Sequence, residues 1–333
     1  MRRDRMTLAL ILVLAALVAS GSAAVLAEPR EGSQGKSGSK FDVGLIGDFP
    51  YAPEQQREAE NLLDELNGER LAFVTHAGDI KSGSTACTND VYRREYRRFE
   101  GSKNPFVYTP GDNEWTDCHR TPNPTPAEAD PLNRLDLLRR TFFSDGDSLG
   151  RREIPLTRQS EEYPENARWR SGDVTFATIH VVGSNNNRPT TDAPGTGNEA
   201  EWQARNRANT AWLNRTFASA ERRGDEAVMF VIQANIFEED TNQPSGFTEF
   251  KDVLRRETIA FEKPVVLVHG DSHYFRIDKP LYAGDNEEDR VLNFTRVETF
   301  GDADVHWVRA TVDTSDEEVF SFEPEIVEEN TTP

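Results

Sequence analysis

Four apolar runs in this chain each end in a glycine-aspartate turn: GLIGDFPY at 44–51, VTHAGDIKSG at 74–83, VYTPGDNEW at 107–115 and VVLVHGDSHYFRID at 265–278. A β-branched run that stops at Gly-Asp reads as a buried strand. It delivers a carboxylate to the strand's carboxyl end, where open α/β sheets bind ligands. Together the four turns offer Asp48, Asp79, Asp112, Asp271 and His273 to one edge. Carboxylates brought that close raise one another's pKa or take up cations, so the set reads as a metal site. A single such turn is more often an Asx-type turn than a ligand; the repetition carries the argument.

The segments between the turns set the fold class. Phe41–Gly47 reads as a strand, and an amphipathic helix opened by Pro53 follows, with Ala59, Leu62, Leu63 and Leu66 on one face. Then come a strand at 71–75, a helix from Asn89 to about Phe99 and a strand at 105–108. β-α-β-α-β with short connections predicts a parallel sheet with right-handed crossovers. Regularity fails at about 115–170, which is rich in prolines and charges with one helix near 131–143, and this stretch reads as an insertion capping the site. Beyond it the pattern predicts a strand at 173–182, a long polar loop, a helix at 199–222, a strand at 227–232 and a helix at 247–261. Runs at 291–299, 304–312 and 318–323 look like an antiparallel finish. This gives one domain over 41–325 and an acidic tail at 326–333.

At the other end, Arg2, Arg3 and Arg5 precede an apolar stretch and then small residues to Ala27, the pattern of a secretory signal peptide over 1–27. The competing reading is an uncleaved N-terminal membrane anchor. Residues 28–40 are a polar Gly/Ser-rich linker, expected to be disordered. The 333 residues carry a formal charge of −20; residues 1–27 hold a net +2, so the processed chain sits near −22. Such a charge argues against nucleic acid and against stable membrane association as partners. Export, to the periplasm or beyond, makes the two cysteines, Cys87 and Cys118, a candidate disulfide between the second and third acidic loops.

The order and strand-end placement of these turns resemble the calcineurin-like metallophosphoesterases, the superfamily that includes purple acid phosphatases. Their motifs run D-x-H, G-D, G-N-H-[DE], a lone His after a strand, and G-H-x-H. The resemblance covers roughly 41–280. Asp48 matches the first aspartate, with Pro50 where the family has histidine. Asp79 in HAGD matches the aspartate that bridges both metals. In PGDNE, Gly111 and Glu114 match, while Asp112 stands at the metal-binding asparagine and Asn113 at the histidine. Gln233, with Asn235 near it, falls at the lone histidine. In HGDSH, Gly270 and His273 match and Asp271 replaces the first histidine.

The resemblance implies a sandwich of two mixed β-sheets flanked by helices, and two divalent ions. Asp48, Asp79 and His273 would hold one ion; Asp79, Asp112, Asp271 and Gln233 would hold the other. Oxygen-rich ligands favour Mg²⁺ or Mn²⁺, with Ca²⁺, Fe or Zn as alternatives. The implied chemistry is hydrolysis of a small phosphorylated substrate, monoester or diester, by two ions about 3.5–4 Å apart. Asn113 stands where the family's leaving-group histidine would act, and an amide is no acid near neutral pH. His119, and less directly His76, are the substitutes. Arg120, Lys81 and Arg276 are phosphate-binding candidates against a default of solvated charge, and Asn185 and Asn186 follow a strand on the same side. His180 and His306 lie inside strands and read as packed residues. His269, just before the fourth turn, reads as a strand residue or a partner to the ligands.

Two other classes compete. The string GDS at 270–272 resembles the GDSL serine esterases, but that family places its serine after the first strand, where this chain has GDF, and little chain follows Ser272. The stronger rival is a non-catalytic relative that lost its histidines and binds a metal ion or a protein partner through the acidic edge.

Overall fold

The computed structural model describes residues 38–120, 122–191, 196–238, 243–284 and 289–331. Residues 1–27, expected to be a signal peptide, and nearly all of the linker lie outside the described residues. What is described falls within a single unit, Lys36–Pro333.

Among the described residues, twelve strands form two sheets. The first holds β1 (Lys40–Ile46), β2 (Val74–His76), β3 (Phe106–Tyr108), β11 (Trp307–Asp313) and β12 (Phe320–Glu325) in the order β12-β11-β1-β2-β3. β1, β2 and β3 run parallel, with Ile46 opposite His76 and His76 opposite Tyr108. The second holds β4 (Thr157–Arg158), β5 (Ala167–Ser171), β6 (Val174–Thr178), β7 (Ala227–Val231), β8 (Val265–His269), β9 (Arg276–Asp278) and β10 (Phe294–Glu298), ordered β4-β5-β6-β7-β8-β10-β9. Its centre, β6-β7-β8-β10, is parallel.

Burial explains the layering. Strands covered on both faces need continuous apolar runs, and VVLVH of β8 and AVMFV of β7 are buried at every position. Val43, Leu45 and Val107 of the first sheet, with Phe73 just before β2, share one core with Phe176, Met229, Val231, Val266 and Val268 of the second. Leu62, Leu66, Tyr92, Phe99, Leu138 and Phe142, from the helices Gln55–Gly68, Asn89–Glu100 and Pro131–Phe142, cover the outer face of the first sheet. Trp212, Leu213, Phe217, Phe250 and Leu254, from the helices Glu199–Arg223 and Thr248–Phe261, cover the second. The result is helix, sheet, sheet, helix, as expected for two mixed sheets flanked by helices.

Three local expectations change. The stretch at 115–170 does more than cap the site: β4 and β5 extend the second sheet, and the helix Pro131–Phe142 packs its Phe142 ring 4.9 Å from Tyr108. Its start, Trp115–Arg120, reaches the acidic residues. The C-terminal strands are not a uniform antiparallel finish, because β10 lies parallel to β8 and its Phe294, Val297 and Glu298 are buried. The described part of the acidic tail, 326–331, is also anchored: Val327 is fully buried and Asn330 Nδ2 donates to the carbonyls of Glu58 and Val305. Among the described residues no helix is long and apolar enough to cross a membrane.

Candidate metal centre

The parallel strands of both sheets end on one side, and five of them, β1, β2, β3, β7 and β8, end in turns that aim a polar side chain inward. Asp48 follows β1, Asp79 follows β2, Asp112 follows β3, Gln233 follows β7, and Asp271 and His273 follow β8. Asp48, Asp79, Asp271 and His273 all have left-handed backbones, with φ of 61°, 59°, 80° and 60°. L-residues rarely occupy that region, and each instance costs on the order of 1–3 kcal/mol held in place by surrounding structure. Glycine makes the close approach feasible. A Cβ at Gly111 would overlap Asp79 Oδ1 and one at Gly270 would overlap Asp48 Oδ2. A Cβ at Gly183 would sit 2.7 Å from Asp271 Oδ1 and 2.9 Å from Asp112 Oδ2.

Two groups of ligand-type atoms result, Asp48–Asp79–His273 and Asp79–Asp112–Asp271, each with its atoms within 4.8 Å of one another. Asp79 belongs to both. Its Oδ1 accepts from the Asn113 backbone N–H at 3.1 Å, and its Oδ2 accepts from the Tyr51 hydroxyl at 2.8 Å and Asn113 Nδ2 at 2.7 Å. Tyr51 also lies 3.2 Å from His273 Nε2, the rings edge-on at 5.0 Å. Glu114 ties the second and third turns together: its Oε1 accepts from the N–H of Asp79 (3.1 Å) and Gly111 (2.6 Å) and from the Tyr108 hydroxyl (2.6 Å). Asp48 Oδ1 accepts from the Asp271 N–H at 2.9 Å, while the buried Asp48 Oδ2 has no hydrogen-bond partner.

Gln233 stands inside the second group with its nitrogen forward. Nε2 donates to Asp271 Oδ1 at 2.9 Å, Asp112 Oδ1 at 3.1 Å and Asp79 Oδ2 at 3.3 Å, and Oε1 accepts from the Gly183 N–H at 2.7 Å. The sequence places Gln233 among the ligands; in this geometry it presents a donor, not a ligand atom. Ser184 Oγ lies 2.6 Å from Asp112 Oδ2 and 2.8 Å from Asp117 Oδ1. A hydroxyl has one hydrogen, so both contacts are hydrogen bonds only when one carboxyl is protonated. Ser184 sits in a left-handed run, Ser184 to Asn187, with φ between 52° and 60°. Asparagine tolerates that conformation best among residues with a Cβ, which accounts for NNN at 185–187.

Burial dominates the electrostatics. It raises Asp48 and Asp79 well above the usual carboxylate range, and the neighbouring carboxylates raise both further. Asp271 is pushed up to about 8, by burial and then by Asp112. Asp117 is pushed up to about 7 by the same two causes, against the pull of Arg120. Burial lowers His273 and Lys81. An ion-free site of this kind keeps protons it would surrender to a divalent cation. Oxygen ligands, one imidazole and an unpartnered buried carboxylate oxygen fit such an ion, so the acidic and histidine groups could bind metal.

The structure therefore brings Asp48, Asp79, Asp112, Asp271, His273, Gln233 and Asn113 together. His119 stands apart: its Nδ1 bonds the Thr116 carbonyl at 2.7 Å. Its ring lines a cavity of about 170 Å³ with Asp117, Arg120, Ser184 and Arg188. His76 is buried among the rings of Phe49, Phe99, Phe106 and Tyr108. His180 is buried against Glu165, at 2.9 Å. His269 is buried with Nδ1 2.7 Å from the Gly270 carbonyl, and the half-buried His306 accepts from the Val327 N–H. Arg120 pairs with Asp117 and Arg276 with Glu298 and Glu238, while Lys81 is buried and donates to the Ser82 carbonyl. Asn185 and Asn186 hold the 244–246 backbone. Cys87 and Cys118 are joined by a disulfide. Three residues at the site had no sequence signal of their own: Tyr51, Ser184 and Asp117.

No protein-family description matches the sequence, and no curated protein matches it. In three dimensions the chain is similar to GAP50, the anchor in the inner membrane complex of Plasmodium. That comparison has a TM-score of 0.50 and 11% identity, over 86% of this chain and 89% of that one. The fold is that of the calcineurin-like metallophosphoesterases. Lower similarity links it to the protein TT1561 of Thermus thermophilus (TM-score 0.47, 10% identity, covering 87% and 100%). The same holds for a 5′-nucleotidase of Candida albicans (0.44, 10%, 85% and 50%). At such identities the likeness concerns the fold alone.

Proposed function

We propose that this chain is an exported, divalent-cation-dependent hydrolase of small phosphate esters. One observation carries the reading. Asp48, Asp112, Asp271 and His273, from three other turns, converge on Asp79; all but Asp112 stand on left-handed backbones, against glycines that admit nothing larger. Strain and carboxylate crowding are costs to folding, and they persist where a site is being held for a ligand. A bound cation would supply a metal-activated water and charge neutralisation at the phosphoryl group. The chain's own residues would do the rest. Tyr51 and Asn113 hold the Asp79 carboxylate, and Glu114 fixes the turns that carry it. The disulfide supports an oxidising compartment.

A second reading has a specific observation in its favour. The described residues put one histidine, His273, into the site, and the Asn113 amide is already bonded to Asp79 and Tyr51. A chain that keeps the cation and uses this face to hold a protein partner would have the same constellation; GAP50, similar in fold, is described as an anchor. The discriminating experiment is hydrolysis of p-nitrophenyl phosphate and bis(p-nitrophenyl) phosphate by metal-stripped protein resupplied with Mg²⁺, Mn²⁺ or Ca²⁺. Cation-dependent turnover, abolished in Asp79→Asn, is expected. No turnover with any cation, by protein that binds the cation, leaves the binding role and removes the enzyme.

A further inference from the structure

The two acidic groups differ in how fully they are satisfied. In the second group every oxygen of Asp112 and Asp271 already faces a hydrogen-bonding partner. Asp112 faces Gln233 Nε2 and Ser184 Oγ; Asp271 faces Gln233 Nε2 and the Asn235 N–H. In the first group Asp48 Oδ2 is fully buried with no partner, and His273 Nε2 lies 3.7 Å from Asp48 Oδ1. On the reading that this cluster binds divalent cations, we propose that the chain holds a single ion, in the Asp48–Asp79–His273 group. The amide of Gln233 stands in for a second ion among Asp79, Asp112 and Asp271.

The amide is fixed from both ends. Turning it over would set its NH₂ against the Gly183 N–H and its oxygen against three carboxylates, losing every favourable contact. Nor has the side chain room to swing aside: a Cβ at Gly78 would lie only 2.8 Å from Gln233 Cγ, so the aliphatic stem is packed against that turn. The backbone is held too, by the Gly270 N–H donating to the Gln233 carbonyl at 3.1 Å. An amide nitrogen within 2.9–3.3 Å of three carboxylate oxygens occupies the space a cation would need. A ligand set of two carboxylates and an imidazole is mixed nitrogen and oxygen, which suits Mn²⁺ better than Ca²⁺.

The test is Mn²⁺ binding to the metal-stripped full chain, read as ions bound per chain and as the electron paramagnetic resonance spectrum. Wild type is expected to bind one Mn²⁺ with the signal of an isolated ion, and Asp48→Asn to weaken that binding by roughly tenfold or more. Gln233→Ala and Gln233→Glu, which remove the amide in two different ways, are each expected to admit a second Mn²⁺ magnetically coupled to the first. Two coupled ions of similar affinity in wild type would overturn the proposal while leaving the metallohydrolase reading intact. Both Gln233 variants still binding one ion would overturn it as well. A wild type that binds no Mn²⁺ would overturn both.

Discussion

The hydroxyl of Tyr51 donates to Asp79 Oδ2 across 2.8 Å, and in doing so joins the first turn to the carboxylate that both acidic groups share. The phenol oxygen also accepts from Asn113 Nδ2 at 3.0 Å and faces His273 Nε2 at 3.2 Å. One phenol, itself on the first turn, therefore braces side chains from the other three.

Tyr51→Phe keeps the ring and its edge-on contact with His273 and removes the hydroxyl alone. Loss of a buried hydrogen bond that leaves its acceptor unpaired costs about 1–3 kcal/mol. Urea unfolding in the presence of a chelator should show that loss, and Mn²⁺ affinity should fall with it. Unchanged values for both would mean that the hydroxyl does not hold Asp79.

The glycines at the site make a sharper prediction. Gly111→Ala and Gly270→Ala put a methyl group onto Asp79 Oδ1 and Asp48 Oδ2. Overpacking of this kind costs about 1–3 kcal/mol, and both variants should lose cation binding. Gly68→Ala, at a helix end with nothing within 4 Å of the added Cβ, is the control and should be neutral or slightly stabilising. Melting temperatures and Mn²⁺ titrations of the three variants decide it.

Acid stability should depend on His76. Burial holds it neutral and pushes its pKa down to about 3, from an ordinary 6.5. Below pH 6.5 the unfolded chain takes up a proton that the folded chain refuses. The stability associated with neutral His76 is therefore complete above 6.5 and lost as pH falls toward 3. His76→Phe sits among the same rings and forfeits a 3.2 Å bond from the Gly78 N–H, a pH-independent cost. Relative to wild type the variant should gain about 2–3 kcal/mol between pH 7 and 4.5. Parallel unfolding curves at the two pH values, with no relative gain, would contradict the buried neutral imidazole.

Much of this was legible in the sequence because strand ends repeat. Four β-branched runs stopping at Gly-Asp set both the parallel strands and the carboxylates they carry, and a buried run cannot be misread when every position is apolar. The pairing of β10 was not legible, since FTRVE alternates as well for a parallel neighbour as for an antiparallel one. The orientation of Gln233 was not legible either. Which end of an amide faces a cluster is decided by the Gly183 N–H, which belongs to a left-handed turn fifty residues upstream. Tyr51 was missed because nothing in DFPY shows that its hydroxyl returns to the second turn.

The disulfide should matter to this corner more than to the sheets. Cys87 and Cys118 are fully buried, and Asn123 braces both, accepting from the Cys87 N–H and donating to the Cys118 carbonyl. Closing 31 residues is worth about 3–4 kcal/mol of unfolded-state entropy. Cys87→Ser/Cys118→Ser should lose about that much, and exported protein should show no free thiol by mass spectrometry. Two free thiols in exported material would contradict it.

Thermal unfolding against cation concentration asks most directly whether the crowded carboxylates are built for a cation. Metal-stripped wild type at neutral pH should melt at a rising temperature as Mn²⁺ or Mg²⁺ is added, gaining about 2.7 kcal/mol at a hundred times the dissociation constant. Asp79→Asn, lacking the carboxylate common to both groups, should melt at the same temperature with and without the ion. A wild-type curve that no divalent cation moves would contradict the account.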